Sequence, residues 1–410
     1  VVAFLSPALA IPGLVALPVL VVIALIAGRL GAKHQPPAME ATRAQSAALV
    51  EGFGQYETVK AMALERTIQD RWDKATIEKT DHQDESRAWN AVPSHLSAAV
   101  SMLASAGVVV IGAYLVADQQ ASMGALIAAM ILTGRAVAPA AGLAGLMNAW
   151  TRARQAFGGV DKLLSASHPD GAHHAQVRGE WQLESVEVSY PDMAKPALEG
   201  VSLSIQPGER IGVLGRGGSG KTTLARILGG VLVPERGLAK LDQVDLAQWN
   251  STSRAAGIGY LAQQPGFFAG SVRENLLWGI DQPDEEAIQA AAEMTGLDRY
   301  LANWAAGWEH PVGEGGGMLS GGQRSVLALT RVILHDPAWI VMDEPTAHLD
   351  ARHELALRER LQPWLAKRGV LLVTHRSSML SWVDRLLIVE NGKIVADGPK
   401  DDVLRMLKTQ

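Results

Sequence analysis

Nine consecutive residues, Gly215-Arg216-Gly217-Gly218-Ser219-Gly220-Lys221-Thr222-Thr223, have the types and order of a phosphate cradle. The glycines let backbone N–H groups converge on phosphate oxygens with no Cβ in the way. Lys221 supplies positive charge for the β- and γ-phosphates, and Thr222 offers a hydroxyl to a magnesium ion. A second group of chemical interest is the acidic pair Asp343-Glu344, which closes the apolar run Trp339-Ile340-Val341-Met342. The first carboxylate can hold magnesium through water. The second can orient or deprotonate an attacking water. An acidic pair alone is most often a polar strand end. Behind a buried strand, in a chain that already has a phosphate cradle, it reads as part of a hydrolytic site.

The flanks say what must position these groups. Arg210–Leu214 reads as a short buried strand entering the glycine-rich turn, and Leu224–Leu228 as the helix leaving it. Trp339–Met342 and Val370–Val373 are continuous apolar runs, the pattern of parallel strands buried on both faces. The second run ends in Thr374-His375. Leu183–Val188 and Val201–Ile205 alternate, Ser271 to Trp304 reads as mostly helical, and Leu386–Val389, Asn391-Gly392 and Lys393–Ala396 read as a hairpin. Parallel α/β sheets place their ligands at strand ends, where Asp343 falls.

The chain has 410 residues, a net charge of −5 and no cysteine. No basic field argues for nucleic acid, and disulfides and thiolate metal sites are excluded. Hydrophobic residues make up 48% of the chain and charged ones 19%, but unevenly. Val1 to Gly28 is uncharged. Our reading is a helix tail over Val1–Leu5, a tight turn, and a membrane span from Ala8 to Gly28. Arg29 to Asn90 is polar and helical, with Leu49, Phe53, Tyr56, Val59 and Ala63 expected on one face. Ala91–Ala117 and Gly124–Trp150 are two further apolar runs joined by a polar turn at Asp118–Met123. The segment after the first span is rich in Lys and Arg, whereas the short turn has none. The rule that positive charge stays inside therefore puts the long polar segment, and the phosphate cradle, in the cytoplasm. Arg135 in the last run is either a lining of a water-filled path or a packing partner across the bundle, and His95 reads as structural. Ser165–Arg178, with His173-His174, reads as a solvated linker rather than a metal site. The chain opens on Val1 inside an apolar run and is expected to be a fragment of a longer protein.

Between cradle and acidic pair stands Leu319-Ser320-Gly321-Gly322-Gln323-Arg324. With this run as the signature segment, the stretch from Trp181 to Gln410 resembles the nucleotide-binding cassette of ATP-binding cassette (ABC) exporters. The resemblance implies ATP and Mg2+ as cofactors and assigns further positions. Tyr190 is similar to the aromatic that stacks on adenine. Gln263 is similar to the Q-loop glutamine that contacts magnesium and water, and Val312–Gly315 to the loop that touches the coupling helices. Ala347-His348-Leu349-Asp350 is similar to the D-loop, with His348 where a small residue is more usual, and His375 to the switch histidine on the γ-phosphate. It implies Glu344, His375 and Gln263 as catalytic, Thr222, Gln263 and Asp343 around the metal, and Gly215 to Thr223 with Tyr190 around ATP. Ser320, Gly321, Gly322 and Gln323 of a second copy would then cap the γ-phosphate. A serine hydroxyl and glycine N–H groups at a helix N-terminus suit an anion.

The apolar half resembles, through Glu57–Ala63 and Gly134–Pro139, the type I secretion exporters of Gram-negative bacteria. That family works as dimers and carries more spans per subunit than are legible here. The expectation is a partial α-helical transmembrane domain followed by an α/β P-loop NTPase domain of the ABC cassette type. Its expected bounds are 1–160 for the membrane part, 161–178 for a linker and 179–410 for the cassette. Expected partners are a second ABC subunit in a homodimer, the lipid bilayer of the inner membrane, an exported polypeptide, a periplasmic adaptor and an outer-membrane channel. An exporter of lipid, drug or peptide, a soluble ABC ATPase of DNA repair or translation, and a non-functional gene fragment remain open at this stage. The three apolar runs argue against the soluble one.

Overall fold

The structure, a computed structural model, divides into two compact units, Val1–His168 and Pro169–Gln410. It describes Val2, residues 6–166, 171–191, 193, 195–280 and 282–408. The helix tail expected over Val1–Leu5 therefore lies, apart from Val2, outside the described residues.

The first unit is helical. α1 runs Pro7–Gly54, α2 Tyr56–Ala61, α3 Glu65–Ala117 and α4 Met123–Ala166. The span expected from Ala8 to Gly28 falls on the apolar stretch Pro7–Ala27 of α1. α1 continues for 48 residues, about 72 Å at the rise of an α-helix, and so joins the apolar span to the polar segment. Pro12, Pro18 and the pair Pro36-Pro37 all fall inside α1, where a helix can bend rather than end. Among the described residues, three stretches are long and apolar enough to cross a membrane: Pro7–Ala27, and parts of Glu65–Ala117 and Met123–Lys162. Where α1, α3 and α4 meet, the buried residues are small or branched: Leu9, Ala16, Leu20, Ala24, Ala104, Val108, Ala129 and Val137. Large ones such as Leu14, Met102 and Leu103 point outward. Small inside and large outside is the arrangement of a bundle whose outer solvent is hydrocarbon. Arg135 and His95 are both exposed on this unit.

The polar ends of α1 and α3 are joined by α2. The single face expected from Leu49 to Ala63 is broken, because α1 ends at Gly54 and Ala63 turns the chain at a φ of 51°. Glycine and a non-helical Gln55 interrupt the hydrogen-bond ladder there. Leu49, Phe53, Tyr56 and Val59 still line one apolar hollow of about 370 Å³, together with Ile68 and Trp72.

The second unit has two sheets. β1 (Trp181–Val188), β2 (Leu198–Ile205), β4 (Arg236–Leu241) and β5 (Val244–Asp245) form an antiparallel sheet in the order β2-β1-β4-β5. β3 (Arg210–Leu214), β6 (Ile258–Leu261), β7 (Trp339–Asp343), β8 (Gly369–Val373), β9 (Arg385–Glu390) and β10 (Lys393–Pro399) form the other, in the order β10-β9-β3-β8-β7-β6. From β9 to β6 this sheet is parallel, and β10 is its antiparallel edge. β7 and β8 are buried at every position, as their apolar runs Trp339–Met342 and Val370–Val373 require, and Asp343 is buried with them. The hairpin turn was placed correctly: Asn391 and Gly392 take φ of 48° and 77°, the positive pair that matches strand twist.

The helices are α5 (Lys221–Leu228), α6 (Ser251–Gly257), α7 (Val272–Leu277), α8 (Glu285–Thr295), α9 (Leu297–Asn303), α10 (Gly321–Leu334), α11 (Ala351–Leu365) and α12 (Lys400–Lys408). The helical stretch expected from Ser271 to Trp304 is thus three helices. Asp284 caps the start of α8, and Gly296, at a φ of 84°, ends it and begins α9. Tryptophans anchor the core between the sheets. Trp339 is wholly buried and its indole N–H donates to the Leu228 carbonyl at 2.9 Å, tying β7 to the end of α5. The described part of the expected linker is not free. His173 exchanges backbone hydrogen bonds with Gln248 and Asn250, at 3.0 Å each, and sets its ring edge-on to Trp249 at 4.6 Å. Residues 167–170 of that linker lie outside the described residues.

Candidate nucleotide site

Strand order explains why residues far apart in sequence meet. β8 lies between β3 and β7, and Val213, Val373 and Asp343 share one row across the three strands. All three strands are parallel, so their C-terminal ends open on the same side. β3 delivers the glycine-rich turn, β8 delivers Thr374 and His375, and β7 delivers Asp343 and Glu344. This is the strand-end crevice in which open α/β sheets hold ligands.

The turn itself leaves no room for side chains at two positions. A Cβ on Gly215 would fall 2.1 Å from the Val389 carbonyl oxygen, and one on Gly220 would fall 2.3 Å from that of Ala197. Gly220 also has a φ of 105°, which an L-residue rarely adopts, and it is the last residue before α5. Ser219 is pinned beside it, its carbonyl accepting from the Gly392 N–H at 2.9 Å while its buried hydroxyl is left without a protein partner. The start of α5 is thereby held open to an anion.

Lys221 is 7% exposed and folds back over the turn. Its ammonium donates to the carbonyls of Gly215 and Arg216, 2.8 Å each, which leaves one N–H for an incoming oxygen. Burial pulls its pKa below the usual lysine value, against the opposing pull of Asp343 and Glu344. Thr222 donates its hydroxyl proton to Asp343 Oδ2 at 2.8 Å. Asp343 is 2% exposed, and burial pushes its pKa above the ordinary aspartate value. A buried carboxylate beside a hydroxyl is a set of hard oxygen donors and suits a divalent cation such as magnesium. The orphaned Ser219 hydroxyl, the glycine cradle and this donor pair all fit a metal-bound phosphate chain.

Glu344 has a φ of 51°, a conformation that costs a non-glycine residue on the order of 1 kcal/mol. Its N–H donates to the Val373 carbonyl at 2.9 Å and its own carbonyl accepts from Ala347 at 3.2 Å, so the surroundings hold it there. The result turns its carboxylate toward β8, where Oε1 lies 3.3 Å from His375 Nε2.

Tyr190 follows β1, half-buried, with its hydroxyl 3.1 Å from Arg226 and 3.5 Å from Thr223, both on α5. Its ring thus lies beside the helix that leaves the cradle. Gln263 is exposed just beyond β6. Ser320 and Gln323 are brought together in a different way. The Ser320 hydroxyl accepts from the Gln323 N–H at 3.3 Å and the Gln323 side chain accepts from the Ser320 N–H at 2.7 Å, a capping box at the start of α10. α10 packs on β6, α7 and α8, whereas the cradle grows from β3. β3 and β6 are three strand spacings apart, about 14 Å. The signature segment and the cradle of one chain are therefore carried by opposite parts of the sheet. Val312 is fully buried, and its N–H donates to the Gly270 carbonyl at 2.8 Å, fastening its loop to the segment that follows Gln263. Arg376 and Glu354, an ion pair of a half-exposed arginine with a buried carboxylate, were not singled out from the sequence. The only hint is that Arg376 adjoins His375.

Comparison with known proteins agrees with this geometry. Residues 198–347 match the ABC transporter family and residues 1–136 match the ABC transporter transmembrane region. The chain belongs to the ABC transporters, and it is a membrane protein with a nucleotide-binding cassette. Among its relatives is the type I secretion system ATP-binding protein PrsD of Rhizobium meliloti, 34% identical over 355 residues, which are 85% of this chain and 60% of that protein. The cyclolysin secretion/processing ATP-binding protein CyaB of Bordetella pertussis is 31% identical over 87% of this chain and 50% of its own. The leukotoxin translocation ATP-binding protein LktB of Mannheimia haemolytica is 29% identical over 87% of this chain and 51% of its own. The chain thus spans about half to three-fifths of the length of these relatives. A bacterial Atm1-family ABC exporter solved with ATP bound has the same fold, with a TM-score of 0.85 at 22% identity over 97% of this chain and 71% of that one.

Proposed function

We propose that this chain is the ATP-hydrolysing and membrane-embedded part of an exporter, and that the exported cargo is a polypeptide. The observation that carries the hydrolytic reading is the meeting of Lys221, Thr222, Asp343, Glu344 and His375 at three adjacent parallel strand ends. Lys221 and the turn N–H groups hold the β- and γ-phosphates, and Tyr190 borders the adenine. Thr222, Asp343 and Gln263 would hold magnesium, which would neutralise charge on the phosphates. Glu344 orients and deprotonates the attacking water, and His375 holds the γ-phosphate side of the site. The polypeptide cargo rests on the names of the relatives, which are secretion and translocation proteins.

Two chains are needed in this reading. The signature residues Ser320, Gly321 and Gly322 stand across the sheet from their own cradle, so the γ-phosphate is capped by a second copy. The bounds 1–160, 161–178 and 179–410 serve as membrane part, linker and cassette. The spans lie in the inner membrane with the cassette in the cytoplasm, and a periplasmic adaptor and outer-membrane channel complete the path. The long helices α1 and α3, joined by α2, pass cassette closure to the spans, replacing the single helix expected over Ala47–Lys60. ATP favours the closed pair through contacts that the open one lacks.

The test is ATPase rate per chain in detergent across a dilution series. The shared site predicts a rate per chain that falls as the pair dissociates. A constant rate down to the monomer sinks the shared site. Stimulation of the rate in vesicles by a secreted polypeptide, against lipids and small drugs as comparisons, tests the cargo.

A further inference from the structure

The turn 347–350 rests on a residue that chemistry at the phosphate does not use. Arg376 Nη2 donates to the Ala347 carbonyl at 3.2 Å and Nη1 to the Leu349 carbonyl at 3.3 Å. These two carbonyls bracket His348. The same guanidinium pairs with Glu354, whose carboxylate also accepts from the Ser378 hydroxyl. Glu354 is only 6% exposed, so the carboxylate end of the pair is buried while the Arg376 side chain stays partly exposed. On its other side Arg376 adjoins His375, and its N–H donates to the Thr374 hydroxyl oxygen at 3.1 Å. Thr374 is itself 2% exposed.

The turn in its own right touches the signature. A Cβ on Gly321 would lie 3.2 Å from that of His348, and one on Gly322 would lie 3.3 Å from the His348 carbonyl oxygen. One run of contacts in one chain therefore leads from His375, through Arg376, to the turn at His348, and on to the first residues of α10.

We infer that Arg376 is a positioning residue that couples the two nucleotide sites of a pair, by making the His375 segment and the turn 347–350 move as one piece. The inference rests on the shared-site reading above. His375 belongs to the site on its own chain, whereas Gly321 and Gly322 face the site of the other copy. A shift of His375 with the nucleotide in its own site is carried by the guanidinium to the turn, and from the turn to the signature that faces the neighbouring site. A planar fork suits this role, because it can hold two carbonyls and a carboxylate at once in fixed directions. The point charge of a lysine cannot.

The test uses the full chain in detergent or nanodiscs, with ATPase rate measured against ATP concentration and affinity for a fluorescent ATP analogue measured separately. For the wild type we expect a sigmoidal rate curve. For Arg376→Lys we expect a Hill coefficient that falls to about 1. Its kcat should be lowered about tenfold, with analogue affinity unchanged. Glu354→Gln keeps a group able to bond Arg376 and both carbonyl contacts, and should retain more of the cooperativity. If Arg376→Lys does not fold, Arg376→Gln is judged by the same two readings. A hyperbolic wild-type curve, or a variant that keeps wild-type cooperativity, overturns the coupling. So does a loss of analogue affinity in step with kcat, since that is general loosening of the site. A wild-type chain that hydrolyses no ATP overturns the underlying reading instead, and a rate that does not depend on dilution does so as well.

Discussion

Thr222 and Asp343, 121 positions apart in the chain, are joined by a hydrogen bond of 2.8 Å from the threonine hydroxyl to the carboxylate. The bond ties the first turn of α5 to the end of β7, across the intervening β8. It closes the floor of the crevice and leaves Glu344, the next residue, at its lip.

Asp343 is kept buried at a cost. Its folded pKa is raised above the unfolded value by burial, so folding disfavours the charged form relative to the unfolded chain. Such a group contributes stability below the unfolded aspartate pKa and loses it as pH rises through the raised folded value. At neutral pH without ligand, Asp343→Asn is therefore expected to raise the thermal midpoint. The same variant should gain far less midpoint from ATP with magnesium than the wild type gains. Calorimetric scans with and without Mg-ATP, at pH 5 and pH 8, check both signs.

Glu344→Gln should keep nucleotide binding and lose turnover by about 10²- to 10⁴-fold, the usual contribution of a general base. The amide is isosteric and can occupy the same left-handed backbone position, so the fold is unaffected. Single-turnover hydrolysis together with analogue binding measures it. Turnover at the wild-type rate would take Glu344 out of the role.

Lys221→Ala should weaken binding itself. Losing a charge-assisted contact to phosphate costs about 1.5–3 kcal/mol, roughly ten- to a hundredfold in affinity. Lys221 also spans the Gly215 and Arg216 carbonyls, so the turn should become more mobile in the variant. Amide hydrogen exchange at Gly217–Gly220 reads that second effect, and titration calorimetry reads the first. Unchanged affinity would contradict the assignment.

Trp339→Ala removes a fully buried side chain and strands the Leu228 carbonyl at the end of α5. The expected loss of stability is about 3–5 kcal/mol. Urea unfolding followed by tryptophan fluorescence and by circular dichroism should show the midpoint fall. A loss under 1 kcal/mol, read against the order of magnitude for such truncations, would mean that the pocket collapses around the gap.

The cradle, the acidic pair and the three apolar runs were legible from residue types and spacing alone. Gly215–Thr223 could be read because few sequences other than a phosphate-binding turn place glycines, lysine and threonine in that order between strand and helix. The runs at Trp339–Met342 and Val370–Val373 declared themselves buried strands because both faces must be apolar. Helix ends were harder to read. The span expected over Ala8–Gly28 matches the apolar stretch Pro7–Ala27, but the one helix that carries it runs on through the polar segment to Gly54. The helix expected to run through Tyr56 is broken instead, at Gly54 and Gln55, by two residues that composition does not mark as a turn.

What the sequence by itself determined is local: which segments are apolar, where the backbone needs glycine, and which side chains can hold phosphate, metal and water. Only the tertiary structure decided which of these meet. Strand order sets β8 between β3 and β7, and that order alone brings His375 to Glu344 and Asp343 to Thr222. The bond from Arg376 to the carbonyls beside His348 is equally invisible in sequence. A carbonyl carries no residue identity, so a contact made to backbone leaves no pattern to read.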